Sequence, residues 1–136
     1  MRILRLFALC LSACCLLGAA DSQYDLVVYG GTASGVVTAV SAARHNLKVL
    51  LLEPGQHLGG MATGGLSRTD FGKKEVIGGE ALEFYWRVGI KYDIGRYAQD
   101  VAWDYEPHVG ELVFKEMLAA AHVEVLFGKR LREHDG

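Results

Sequence analysis

The chain has 136 residues, of which 51% are hydrophobic and 22% are charged, and it contains 17 glycines but only 2 prolines. This composition is typical of an ordered globular protein and excludes intrinsic disorder and a collagen-like repeat. The formal net charge is only -2, so no polycationic surface indicates a nucleic acid or an acidic membrane as a partner.

The first 20 residues are typical of an export signal. Arg2 and Arg5 precede an apolar run over residues 6–20, and a polar segment follows. The run is shorter than the ~20 apolar residues that span a bilayer, and the small residues at its end suit a signal peptidase. We therefore predict a signal peptide over residues 1–20, cleaved after Ala20, and an exported protein without a stable membrane span, periplasmic or extracellular.

Two alternatives stay open for this segment: Cys14 lies in a sequence that resembles a lipoprotein signal, and the segment could also stay uncleaved as an anchor. Arg2 and Arg5 are not adjacent, so a twin-arginine signal is absent and we expect any cofactor to be taken up after export. All three cysteines lie in this segment. The mature chain therefore has no thiolate nucleophile, no cysteine-based zinc site and no redox dithiol.

The next segment has the pattern of a βαβ unit. Short apolar runs at residues 24–29 and 48–53 predict two parallel strands that are buried on both faces. The small residues over 36–45 predict a helix that lies close to the sheet and ends at Asn46 in a left-handed turn. A glycine-rich turn over residues 30–35 joins the first strand to this helix.

This unit predicts a dinucleotide site, because glycines permit a tight turn and the N–H groups at the helix start attract a diphosphate. Gly30 and Gly35 fill the first and third glycine positions of the dinucleotide fingerprint. Thr32 replaces the second, and its hydroxyl donates to a phosphate oxygen or the diphosphate lies slightly farther out. Glu53 follows the turn by about 20 residues, where an acid binds an adenosine ribose and repels a 2′-phosphate.

A second glycine-rich loop, HLGGMATGGL, follows Glu53 where a nicotinamide dehydrogenase would continue into a crossover helix. Together with YDLVVYGGTASG and LLLEP, this loop resembles the start of the FAD-dependent oxidoreductases with a glutathione-reductase-like fold. More specifically, the chain resembles their bacterial, often exported branch, which carries GGT in the first loop. The resemblance covers residues 24–136.

The resemblance implies an α/β fold, namely a Rossmann-like parallel βαβ sheet of an FAD/NAD(P)-binding domain, over residues 21–136. It implies that Glu53 binds the adenosine ribose of FAD and that Leu131 offers backbone hydrogen bonds to the adenine. It also implies that Gly59, Gly60 and Met61 pass near the phosphates and the flavin. The residues implied to face the FAD pyrophosphate are Gly30, Gly31, Thr32, Ala33, Ser34 and Gly35.

The C-terminal third predicts one more helix and strand. The helix begins at Pro107, and a strand follows from Val123 to Phe127. In the family that the chain resembles, these elements add the third parallel strand. The predicted apolar face of the helix consists of Val109, Leu112, Val113, Met117 and Ala120.

Other patterns are interpreted as structural. The aromatic residues 84–86 and those that follow predict packing, with the floor of a substrate or flavin pocket as the alternative. The histidines lack metal-ligand spacing, so no metal site is predicted, and the basic residues over 129–132 predict a solvated edge. Arg68 and Asp70 are the candidates for polar groups entering the site, with a structural ion pair as the alternative. No catalytic acid or base is assigned.

The sequence thus predicts the FAD-binding portion of an exported flavin-dependent oxidoreductase with a small-molecule substrate. An NAD-dependent dehydrogenase and a non-catalytic nucleotide-binding fragment are the alternatives. The mature length suffices for an initial parallel sheet but not for a closed FAD site and a substrate domain. We therefore expect the domain to be incomplete and the chain to be the N-terminal part of a longer protein.

Overall fold

A computed structural model describes residues 23–66, 70–97 and 99–133. The predicted signal peptide and Arg68 lie outside these residues. Within them, strands and helices follow the order β1, α1, β2, α2, α3, β3. Their bounds are Leu26–Tyr29 for β1, Ala33–Arg44 for α1, Val49–Glu53 for β2, Gly79–Lys91 for α2, Pro107–Ala120 for α3 and Glu124–Phe127 for β3. Short 3-10 turns lie at Gly60–Ala62, Lys74–Val76 and Ile94–Tyr97.

The three strands form one parallel sheet in the order β1-β2-β3. Leu26 of β1 pairs with Val49 of β2, and Leu50 of β2 pairs with Glu124 of β3. The predicted βαβ unit and the third parallel strand are therefore confirmed. Because the carboxyl ends of parallel strands meet at one edge of a sheet, the loops after β1, β2 and β3 lie side by side.

The core lies between one face of the sheet and the three helices. Leu51, in the central strand, is fully buried, and Val28 and Val125 on its two sides pack against the same cluster. The expectation that the first strand is buried on both faces is wrong. Val27 and Tyr29 are 51% and 48% exposed, because the core helices pack against the other face of the strand.

The predicted helix from Pro107 is confirmed as α3, but its apolar face is shifted. Leu112 is 46% exposed and Ala120 is exposed, whereas Phe114 and Leu118 are buried. The reason is that α3 contacts α1 and α2, so its buried stripe faces the groove between two helices. The buried residues of α3 are Gly110, Val113, Phe114, Met117 and Leu118.

Two local predictions can be compared with the described residues. Asn46, just after α1, has a φ of 64°, which is the predicted left-handed conformation. Two of the three aromatic residues of α2 pack as predicted, since Phe84 stacks on Phe114 with ring centroids 4.2 Å apart and meets Tyr85 edge to face at 5.3 Å. Trp86 is 48% exposed. None of the described helices is long and apolar enough to cross a membrane.

Candidate dinucleotide-binding site

The glycine-rich turn joins β1 to α1 in three residues. Gly30 has a φ of 101°, a conformation that side chains with a Cβ rarely adopt. At Gly35 a Cβ would lie 2.1 Å from the carbonyl oxygen of Gly30, far inside the contact distance of the two atoms. The first and third positions of the fingerprint therefore require glycine, and they bring the start of α1 directly against the end of β1.

Thr32 is the N-cap of α1. Its backbone is extended, with a φ of -64°, so this position has no need of glycine. The Thr32 hydroxyl accepts a hydrogen bond from the Gly35 N–H at 3.1 Å, and the Thr32 carbonyl accepts one from the Val36 N–H at 2.9 Å. Threonine at the second fingerprint position is thus a regular N-cap, at which α1 begins.

Capping leaves two donors of the first helical turn open. A helix start has four N–H groups without a partner in the helix, here those of residues 32–35, and the Thr32 hydroxyl accepts from that of Gly35. The N–H groups of Ala33 and Ser34 make no close hydrogen bond among the described residues, although the parallel bridge of Thr32 and Gly59 turns that of Ala33 towards the Gly59 carbonyl. The helix dipole and these two donors favour an anion at this point.

Glu53 joins the two loops at the edge of the sheet. Its Oε2 accepts a hydrogen bond from the Gly31 N–H at 2.6 Å, and its Oε1 accepts one from the Gly55 N–H at 2.5 Å. An ionised carboxylate has about four lone-pair positions. Two of these stay available for the hydroxyls of a ribose, so the structural role and the predicted binding role of Glu53 are compatible.

Gly31 has a different role from its neighbours in the turn. Its N–H is directed to Glu53, and the groups left for a diphosphate are those of Ala33 and Ser34. A Cβ at Gly31 would lie 2.5 Å from Leu58 Cδ2 and 3.0 Å from Glu53 Oε2. Glycine is needed here because the acid and the second loop approach the backbone closely.

The second glycine loop is attached to the first turn. The Gly59 N–H donates to the Gly31 carbonyl at 2.7 Å, and Thr32 and Gly59 form a parallel bridge. Gly59 and Gly60 both have positive φ values, 102° and 55°. The structure therefore places Gly59 and Gly60 beside the first turn, while the Met61 side chain is 82% exposed, and their passage near the phosphates and the flavin stays a prediction.

The segment after β3 runs beside the Glu53 loop. The Lys129 N–H donates to the Glu53 carbonyl at 3.2 Å, and the Gly128 N–H donates to the Gly55 carbonyl at 3.0 Å. Leu131 follows in this segment and is 61% exposed. The structure thus places Leu131 on the same edge of the sheet as Glu53, and its contact with adenine stays a prediction.

Sequence reasoning did not predict that Tyr105 and Gly110 pack against the second glycine loop. The Tyr105 hydroxyl donates to the Ala62 carbonyl at 3.1 Å. A Cβ at Gly110 would lie 2.6 Å from Tyr105 Cε2 and 3.1 Å from Thr63 Cγ2. The available signal was a glycine inside an otherwise apolar helix, which costs about 1 kcal/mol relative to alanine and therefore needs a packing reason.

A polar contact joins α3 to the loop after β2. Glu111 of α3 lies 3.1 Å from His57 Nδ1 in the loop after β2. Hydrogen bonds from Lys115 foremost, and then from His57, lower the pKa of Glu111. The predicted partner of Arg68, Asp70, is exposed, and no functional role is assigned to it.

A second ion-pair group joins the C-terminal end of α1 to α2. Arg44 donates two hydrogen bonds to the Glu83 carboxylate, at 2.6 and 2.8 Å. These bonds foremost, and then one from Arg87, lower the pKa of Glu83 to about 2 against the effect of its burial. This group lies at the opposite end of α1 from the glycine turn, so we assign it to stability.

The comparisons with known proteins agree with this geometry. The model of the family described as FAD dependent oxidoreductase matches residues 25–135. The chain is 46% identical over 54 residues to a vinyl phenol reductase from Lactiplantibacillus plantarum, covering 38% of this chain and 11% of that protein. It is 38% identical over 75 residues to an (S)-6-hydroxynicotine oxidase from Paenarthrobacter nicotinovorans, covering 55% of this chain and 18% of that protein.

The chain spans less than a fifth of the length of these curated relatives. Among solved structures, THI4 from Thermovibrio ammonificans is similar with a TM-score of 0.49 at 15% identity, covering 96% of this chain and 49% of that chain. The family match extends over nearly all of the described residues and includes the glycine turn, Glu53 and the second loop. The chain therefore belongs to the FAD-dependent oxidoreductase family, and its cofactor is FAD.

Proposed function

We propose that this chain forms the adenosine and diphosphate part of the FAD site of an exported oxidoreductase that acts on a small molecule. The observation that carries the site is the pair of open N–H groups at Ala33 and Ser34, on the same sheet edge as the Glu53 carboxylate. A diphosphate and an adenosine ribose are the two parts of a dinucleotide that need these groups.

The hydroxyls of Thr32 and Ser34 add one more donor to this site. Their oxygens are 3.0 Å apart, so one hydroxyl donates to the other. Thr32 already accepts from the Gly35 N–H, and the pair therefore uses one of its two hydroxyl protons. The second proton is available for a phosphate oxygen, whichever residue carries it.

The chain's own residues hold and orient the cofactor. When bound, FAD supplies an acceptor for two electrons or a hydride. Glu53 would fix the ribose, and the turn at Ala33 and Ser34 would fix the diphosphate. The second loop, held by the Gly59 hydrogen bond to the first turn, would continue from the phosphates towards the flavin.

The variant Glu53→Gln tests this site. A glutamine has one carbonyl oxygen and one amino group, so either Gly31 or Gly55 would face a donor in place of an acceptor. We expect at least a tenfold loss of FAD affinity, because the ribose hydroxyls lose a charged acceptor, and a hydrogen bond to a charged group contributes about 1.5–3 kcal/mol. Flavin absorbance of the purified full-length protein and titration with FAD measure the effect.

The matched control is Glu75→Gln, a change of the same kind at an exposed residue. We expect it to leave FAD affinity unchanged. A wild-type protein that carries no flavin and binds no added FAD would refute the proposed site. Titration with NAD serves as a second control, and tighter binding of NAD than of FAD would favour a dehydrogenase.

The proposal of export rests on the signal-like segment over residues 1–20. We expect the mature protein outside the cytoplasm, with Asp21 as its first residue. Cell fractionation and mass spectrometry of the N-terminus measure this. A mature protein found only in the cytoplasm would contradict export, and a lipid on Cys14 would favour the lipoprotein alternative.

A further inference from the structure

The segment between Glu53 and Gly59 contacts α3, a helix to which the proposed function gives no part. His57 lies in this segment, and its Nδ1 is 3.1 Å from Glu111 Oε2 of α3. The segment begins at the acid proposed to bind the ribose and ends where the second glycine loop joins the first turn. A side chain that holds this segment therefore acts on both parts of the proposed site without touching the cofactor.

The two ends of the segment are fixed by backbone and by burial. At one end the Gly55 N–H donates to Glu53 Oε1 at 2.5 Å. At the other end the Gly59 N–H donates to the Gly31 carbonyl at 2.7 Å, and the Leu58 side chain is buried. His57 lies between these ends, so its contact with α3 fixes the middle of the segment.

Glu111 is suited to hold a neighbour because it is a mostly buried carboxylate with one oxygen for each of two partners. Its side chain is only 15% exposed, and its Oε1 lies 2.7 Å from Lys115 Nζ, one turn further along α3. Its Oε2 faces His57. A buried charge is costly unless it is paired. One of the two partners belongs to the same helix and the other to the loop.

The two sides of the contact differ in freedom. The His57 side chain is 85% exposed, whereas Gly110 and Val113, on either side of Glu111 in α3, are buried. Hydrogen bonds from Lys115 foremost, and then from His57, lower the pKa of Glu111, so its carboxylate is ionised near neutral pH. Glu111 is therefore the fixed, charged partner, and the contact positions the loop rather than the helix.

The same turn of α3 also contacts the second glycine loop beyond Gly59. A Cβ at Gly110 would lie 3.1 Å from Thr63 Cγ2, and the Thr63 hydroxyl donates to the Leu58 carbonyl. This part of α3 thus touches the chain both before and after Gly59. A change at Glu111 should therefore be felt in the glycine loop.

We propose that Glu111 is a positioning residue for FAD: through His57 it holds the segment between Glu53 and Gly59 in the conformation that binds the cofactor. This inference rests on the proposed function. A ligand binds more weakly in proportion to the fraction of molecules in which its site is not formed. Because His57 is exposed and an exposed pair contributes little, we expect an effect of about twofold to fivefold on the Kd for FAD.

The contact has a signature that a merely structural role would lack. The charge of a histidine changes between about pH 5 and 8, and a charged histidine binds a carboxylate more strongly than a neutral one. Among the described residues, the charged groups at this contact are Glu111 and Lys115, while the Glu53 carboxylate accepts from backbone N–H groups. Wild-type protein should therefore bind FAD about twofold to fivefold more tightly at about pH 5.5 than at about pH 8.5.

The test titrates FAD-free full-length protein with FAD at both pH values and follows flavin fluorescence. Glu111→Gln keeps the shape of the side chain and removes its charge. It should raise the Kd about twofold to fivefold at the lower pH and abolish the difference between the two pH values. The matched control is Glu116→Gln, because Glu116 also lies on α3 but pairs with Lys91 of α2 at 2.5 Å. It should retain the wild-type Kd at both pH values.

His57→Gln is the second variant, since an exposed side chain can be changed without disturbing the core. It should also abolish the pH difference, and the double variant should bind FAD no more weakly than Glu111→Gln. His108→Gln, at an exposed histidine of α3, is its control and should keep the pH difference. Hydrogen exchange of residues 54–61 in the FAD-free proteins should be faster in His57→Gln and Glu111→Gln than in the wild type.

The positioning role and the FAD site fail in different ways. If His57→Gln and Glu111→Gln bind FAD with the Kd and pH dependence of the wild type, the positioning role is refuted and the FAD site stands. Additive losses in the double variant, or a loss in Glu111→Gln that is equal at both pH values, would also overturn the role. A wild type that binds no FAD refutes the site itself, and the role of Glu111 with it.

Discussion

The substitution Gly35→Ala tests the closest contact in the site. Gly35 lies inside α1, where alanine is ordinarily favoured over glycine by about 1 kcal/mol. By helix propensity alone, the variant should therefore be more stable than the wild type. The structure predicts the opposite, because the new methyl group meets the backbone of the preceding turn.

The size of the effect follows from one distance. The added Cβ would lie 2.1 Å from the Gly30 carbonyl oxygen and 3.3 Å from its carbonyl carbon. Both atoms belong to the backbone, so no side chain can rotate away, and β1 and α1 must separate by more than an ångström. Overpacking of this kind costs about 1–3 kcal/mol, which exceeds the gain in helix propensity.

Denaturant unfolding of the full-length protein measures the stability, and flavin absorbance of the same sample measures FAD content. The matched control is Gly95→Ala, because a Cβ at Gly95 meets no atom within 4 Å. We expect Gly35→Ala to lower the unfolding midpoint and the FAD content, and Gly95→Ala to change neither. A Gly35→Ala protein at least as stable as the wild type, with full FAD content, would refute the geometry of the turn.

Three more predictions concern the surroundings of the site. Tyr105→Phe removes the hydrogen bond to the Ala62 carbonyl and should lower the affinity for FAD about threefold to tenfold. Tyr97→Phe, at an exposed position, should leave that affinity unchanged. Equal FAD affinities of the two variants would exclude a positioning role for Tyr105. Gly110→Ala should lower the unfolding midpoint, although it lies in a helix, because its Cβ would meet the Tyr105 ring at 2.6 Å. Since the folded pKa of Glu83 is lowered from 4.5 to about 2, its stabilisation is complete above pH 4.5 and lost as the pH falls towards 2. Glu83→Gln should thus be less stable than the wild type by about 1 kcal/mol at pH 7 and equal to it near pH 2 in thermal unfolding; a difference independent of pH would contradict the ion pair.

Local patterns were sufficient to predict the three strands, α1, α3 and the glycine turn. The apolar runs before Gly30 and before Glu53 each have the length and composition of a strand, and a helix between two such runs favours a parallel pairing. Asn46 marks the end of α1 because its side chain tolerates a left-handed backbone. These features depend on residues close together in the sequence.

The contacts that sequence could not predict join distant residues. The Gly31 hydrogen bond to Glu53 joins the turn after β1 to the end of β2. The close approach of the Tyr105 ring to Gly110 depends on where α3 lies. The apolar face of α3 was shifted for the same reason, since Leu118 faces other helices and Leu112 faces away. Periodicity identifies a helix, but which of its faces is buried depends on its neighbours.

The first turn alone does not select FAD. The open N–H groups of Ala33 and Ser34 and the acid Glu53 would serve any dinucleotide whose adenosine ribose carries no phosphate. The feature that differs from a nicotinamide site is the second loop, which Gly59 fixes to the first turn through a 2.7 Å hydrogen bond. Because that bond joins two backbones, the start of the loop is in place before the cofactor binds, which lowers the cost of ordering it on binding. Selection of FAD thus depends on a loop whose position is set by the turn itself, so a substitution at Gly59 should lower FAD affinity more than it lowers affinity for NAD.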